Sequence, residues 1–127
     1  MVPQIGQMIP TPTSGSVTTL NLSSSMARHA AQRHALISQN IANADTPGFR
    51  AKDLQSFAEM MKSAGVNPSG VSLDPIERNA ISAPNGNTVS LEDEMMRSAQ
   101  VQQDFNMAIS IYRSTLDMMK MSLGKNY

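Results

Sequence analysis

Between residues 91 and 123 the sequence returns to one helical face at strictly alternating steps of four and three: Leu91, Met95, Ser98, Gln102, Phe105, Ile109, Tyr112, Leu116, Met119 and Leu123. All but Ser98 and Gln102 are apolar or aromatic. A seven-residue repeat of this kind is the seam of a supercoiled α-helix and cannot be read as a strand, whose side chains alternate every second residue. Ser90 supplies an N-cap oxygen for the orphan N–H of Asp93, and Glu92, Asp93 and Glu94 put negative charge at the positive end of the helix dipole. Lys120 and Lys125 lie near the negative end and Gly124 is a natural stop. The spacing therefore predicts a helix over residues 90–125, roughly 50 Å long at 1.5 Å per residue.

A helix of that length needs cover along its whole stripe. The other helical pattern, Leu22, Met26, Ala30, Ile37, Ile41 and Ala44, predicts a helix over residues 20–44 of about 37 Å. Asp45-Thr46-Pro47-Gly48 stops it, because Pro47 biases Thr46 away from αR and Gly48 permits positive φ, which suits a type II turn. The shorter helix leaves part of the long stripe, with Val101, Met107 and Met118 beside it, for other chains to cover. The expected fold is all-α: N- and C-terminal helices paired as a coiled-coil-like hairpin, with an irregular middle over residues 45–89. That middle holds one short helix in KDLQSFAEMMK; Val71, Leu73, Ile76 and Ile81 support at most a short strand or hairpin. Residues 1–19, uncharged and rich in Pro, Gly, Ser and Thr, read as a flexible leader.

Composition narrows the function. Leu, Ile, Val and Phe make up about a fifth of the 127 residues, near the border with disorder, and eleven Met restore apolar volume. Ten acidic and ten basic side chains cancel, so bulk charge draws the chain to neither nucleic acid nor an acidic membrane. Without Cys there are no disulfides, no thiolate chemistry and few routes to structural zinc. No apolar run nears the roughly 20 residues that cross a bilayer, and no basic segment followed by an apolar one opens the chain, so neither a membrane span nor a Sec-type leader is expected.

No catalytic, cofactor or metal constellation is expected. His29 and His34 are five apart, whereas helical ligand pairs sit three or four apart, so His34 is assigned to an interface or core. Glu92, Asp93 and Glu94 are read as first-turn helix acids in preference to a cation cluster. No GxSxG turn, P-loop or HExxH spacing accompanies the Ser, His and Asp residues.

The run SQNIANADTPGFRAKDL, residues 38–54, closely resembles the signature that bacterial flagellar rod and hook proteins carry at the end of their N-terminal helix. With NGNTVSLEDEM, residues 85–95, it is similar to the basal-body rod proteins, above all their proximal-rod member. The resemblance implies a non-enzymatic subunit exported through the flagellar type III apparatus and assembled into a hollow, helical drive shaft across the periplasm. It implies as partners other copies, neighbouring rod subunits, and the adaptor and membrane-ring or export-gate proteins, with no nucleic acid and no small-molecule substrate. Asn40, Ile41, Asn43, Asp45, Thr46, Pro47, Gly48 and Phe49 form the candidate assembly motif. Their amides, carboxylate and hydroxyl can satisfy backbone at the helix end, and Phe49 can cover the turn. The competing class is a helical adaptor or secretion chaperone that binds one partner helix and never polymerises.

Overall fold

A computed structural model describes residues 14–64 and 73–124. Among these residues the elements in chain order are α1 (Ser14–Ala42), β1 (Lys52–Asp53), α2 (Phe57–Ala64), β2 (Ile76–Glu77) and α3 (Leu91–Ser122). The expected all-α hairpin is the observed architecture. α1 and α3 pack antiparallel: Asn40 meets Glu94, Ala30 packs on Val101, and Ser23 lies beside Ile109 and Tyr112. Their 29 and 32 residues correspond to about 43 and 48 Å.

α1 starts at Ser14, six residues before the expected Leu20. Pro12 is the last residue that excludes a helix interior; beyond it Gly15, Ser16, Thr18 and Thr19 are only weak helix formers, and a helix already nucleated runs through them. Thr19 Oγ1 donates to Gly15 O at 2.9 Å, so the hydroxyl bonds within the helix instead of competing with it. Residues 1–13 of the expected leader lie outside the described residues, as does Val71. α3 begins as the capping pattern requires: Ser90 Oγ accepts from Asp93 N. It ends three residues before the expected boundary, with Leu123 N donating to Met119 O at 3.1 Å and Gly124 at φ +70.

Two small apolar clusters hold the hairpin. Ala30, Ile37 and Val101 pack between the long helices, and Leu36, Leu54 and Met60 fasten α2 to α1. His29, buried, stacks edge-on against Phe57 at 5.6 Å between centroids and donates from Nε2 to Gln55 O at 2.8 Å. The middle segment folds back as a two-residue antiparallel ribbon, Lys52 opposite Glu77 and Asp53 opposite Ile76.

The face that α3 turns to α1 differs from the expected one. Glu94, Val101, Ala108 and Thr115, spaced by seven, are its buried residues, and Ser122 continues the column half-buried. Val101, expected to lack an intrachain partner, is instead central to the core, whereas Met107 and Met118 are exposed. The expected stripe lies one and four positions on from this column, between about 40° and 100° around the helix axis.

Candidate assembly site

The two sequence blocks that carry the family resemblance meet at one end of the hairpin. Pro47 and Gly48 form the turn, with Gly48 at φ +74 and Phe49 N donating to Thr46 O at 3.2 Å. Residues 85–90 cross it as a strap. Asn87, buried, donates from Nδ2 to Asn43 O at 2.8 Å and Thr46 O at 2.7 Å, and its Oδ1 accepts from Val89 N at 2.7 Å. Thr88 N donates to Phe49 O at 3.0 Å, while Thr88 Oγ1 accepts from Ala51 N at 2.7 Å. Gly48 N donates to Asn85 O at 2.9 Å, which seats the strap on the turn itself.

Gly48 has open space around its missing Cβ, so its constraint is conformational, not steric. Gly48→Val places a β-branched residue at positive φ, which costs roughly 1–3 kcal/mol and distorts the strap's seat. Chemical denaturation should show a loss of that size together with reduced swimming; unchanged motility would remove the turn from the assembly surface.

Beneath the strap lies a closed charge cluster. Asn40, 1% exposed, pairs with Lys52 in both directions, Nδ2 to Lys52 O at 2.8 Å and Lys52 N to Oδ1 at 3.1 Å, and its amide also donates to both Glu94 oxygens at 3.3 Å. Glu94, 0% exposed, is ion-paired with Arg78. Arg78 also donates to Asp93 Oδ2 at 2.8 Å, and Arg97 bridges Asp93 at 2.9 Å and Asp53 at 3.0 Å. Arg33 completes the set, donating from Nε and Nη2 to the two Asp53 oxygens at 2.9 and 3.2 Å. Three guanidinium groups face three carboxylates, so the cluster is neutral and draws on α1, both ribbon strands' surroundings and α3.

The hydrogen bond from Arg97 holds Asp93 below the usual carboxylate value of 3.8, against a smaller opposing effect of burial, with the charges of Arg97 and Arg78 adding to the lowering. Burial, reinforced by the neighbouring Arg97 charge, lowers Arg78 from the ordinary arginine value, and Asp93 and Asp53 counter it. A depressed folded-state value means that Asp93 stabilises the fold above its unfolded value of 3.8 and loses that contribution as pH falls through the folded value. Asp93 is half exposed, which limits the effect to about 1 kcal/mol or less. Asp93→Asn should thus lower stability measurably at about pH 6, by a margin that shrinks as pH falls below 3.8; a loss that does not change with pH would assign the effect to packing.

Of the expected motif, Asn40 is buried, Asn43 and Phe49 are half-buried, and Ile41, Asp45, Thr46, Pro47 and Gly48 are exposed. Of the expected seam, Leu91, Met95, Phe105, Tyr112 and Leu123 are exposed and Ile109, Leu116 and Met119 half-buried. These side chains run along one flank of the helix pair. Next to them α1 offers small residues, and between the two walls lies a groove. One part, about 270 Å³, is lined by Ala30, Ala31, His34, Val101, Gln102 and Phe105. Another, about 180 Å³, is lined by Ser23, Ser24, Ala27, Ile109 and Tyr112. His34 is exposed in the first, while His29 belongs to the core.

Sequence reasoning missed Arg33, Asp53, Arg78, Arg97, Asn87 and Thr88, and assigned Asp93 and Glu94 to the helix dipole alone. One signal pointed to Glu94: it stands seven residues before Val101, in register with Ala108 and Thr115. Arg78 carries no comparable local signal.

The site is thus a helical hairpin tied at one end by a neutral polar cluster, with apolar side chains exposed along one flank. A family model described as the flagella basal body rod protein matches residues 20–50. A flagellar basal body rod protein FlgB from Salmonella typhimurium is 30% identical over 119 residues, covering 76% of this chain and 86% of the relative. The same-named protein from Agrobacterium fabrum is 26% identical over 127 residues, covering 86% and 95%, and that from Yersinia ruckeri is 45% identical over 58 residues, covering 43% and 42%. The chain belongs to the flagellar basal body rod protein family.

Proposed function

We infer that this chain is a structural subunit of the bacterial flagellar basal-body rod. The observation that carries the reading is the open apolar flank of the helix pair, in a chain similar over most of its length to rod proteins. The flank and the turn are different surfaces of one molecule, and a contact between unlike surfaces propagates as an open helix wherever its rotation does not close into a ring. A rod built this way transmits torque through packed helices and leaves a passage for exported subunits. In the finer reading the chain occupies the proximal rod, reaches the periplasm through the flagellar type III apparatus, and contacts the next rod subunit and the adaptor at the membrane ring. It performs no catalysis. No helix among the described residues is long and apolar enough to cross a membrane.

Sedimentation of the purified chain, alone and with rod neighbours, tests the reading. Open-ended self-association or co-assembly is the expected result. A closed dimer at every concentration would overturn it and favour an adaptor.

A further inference from the structure

α3 turns its less apolar face inward. The buried column offers Val101, Ala108 and Thr115, whereas the flank carries Leu91, Met95, Phe105, Tyr112 and Leu123, all exposed, with Ile109, Leu116 and Met119 half-buried between the two faces. Burial free energy scales with apolar area, so a helix free to roll about its own axis would bring the richer stripe against α1. The α1 residues beside the stripe, Ser23, Ala27 and Ala30, are small. What a roll of about 40° to 100° does disrupt is the position of Glu94. Its carboxylate, fully buried, is met by the Asn40 amide of α1 and by Arg78 of the middle segment. The pairs of Asp93 with Arg78 and of Arg97 with Asp53 are also displaced, but Asp93 and Arg97 are partly exposed and can be satisfied by water after such a roll; Glu94, fully buried, cannot.

We propose that the Glu94–Asn40–Arg78 clasp is a rotational lock that selects which face of α3 pairs with α1 and so keeps the apolar stripe outside for a neighbouring subunit. A buried ion pair is a poor source of net stability compared with apolar residues of similar size, but it accepts few alternative arrangements. The choice of face is a property of the isolated chain; only its use in assembly rests on the rod reading.

The absence of cysteine makes the face readable by single-site thiol labelling. Gln102→Cys reports the stripe and Thr115→Cys the buried column, each introduced into the full chain with the clasp intact and with Asn40→Leu, Arg78→Met and Glu94→Leu combined. With the clasp intact, Cys at 102 labels faster than Cys at 115. In the triple variant the order reverses, the rate at 102 falling at least about tenfold as the site becomes protected. Adding Phe105→Ser and Tyr112→Ser to the triple variant removes the reason to roll and restores the original order. An unchanged order in the triple variant would overturn the lock, and so would loss of helicity, since the clasp would then be needed for pairing itself. Incorporation into basal bodies separates the two readings: reversed labelling with incorporation lost supports both. Reversed labelling with normal incorporation supports the lock and overturns the stripe's role in the rod.

Discussion

Glu94→Ala should cost roughly 3 kcal/mol of folding stability, the low end of the 3–5 kcal/mol associated with breaking a buried ion pair. The substitution removes the buried carboxylate that faces the Arg78 guanidinium and the Asn40 amide, which keeps only Lys52 O at 2.8 Å, and leaves a small void at a position with no exposure. Arg78 keeps Asp93 at 2.8 Å, which places the expectation at the low end. Against the 5–15 kcal/mol typical of a whole domain this is a large fraction, and urea unfolding followed by far-ultraviolet circular dichroism would measure it. Glu94→Gln retains an oxygen for Asn40 but cannot neutralise Arg78, and should fall between the two. A loss under about half a kcal/mol for the alanine variant, the scale of an ordinary surface substitution, would mean that the cluster reorganises around the gap.

The second large effect concerns assembly and spares the fold. Phe105→Asp with Tyr112→Asp puts two charges on the open flank, at side chains 36% and 37% exposed in the single chain. Water still reaches both sites, so the charges stay hydrated in the monomer, and the lost apolar cover costs it about 1 kcal/mol at each position. Packed against a neighbour, each would have to be desolvated without a partner, at several kcal/mol. Rod incorporation and swimming should be abolished while helicity is kept and the urea midpoint falls only modestly. Full motility would remove this flank from the subunit interface; a collapse of helicity would show that the flank is intrachain core.

The helices, the Ser90 cap and the turn at Gly48 are local properties, set by residues a few positions apart, and the sequence displays them openly. The face of α3 is not local. Apolar periodicity ranks faces by hydrophobic content and so picked Leu91, Met95, Phe105 and Tyr112, but the inward face is decided by polar partners far away in the chain. Asn40 is 54 residues from Glu94, and Asp53 is 44 from Arg97. The start of α1 escaped for a different reason: weak helix formers after Pro12 resemble a loop until a packed helix continues through them. The resemblance blocks told more than their composition did, because Asn87 and Thr88 act on the backbone of residues 43–51, a pairing that no periodicity displays.

Because α1 and α3 run in opposite directions, Ser14 and Ser122 emerge at the pole remote from the clasp, while the exposed loop around Ile81 belongs to the other. A reporter fused to either end of the described hairpin would therefore crowd the same zone of a polymer. One inserted near residue 81 would occupy a different zone, separated by nearly the length of the longer helix, so the two attachments offer a ruler for how each subunit is oriented within the shaft.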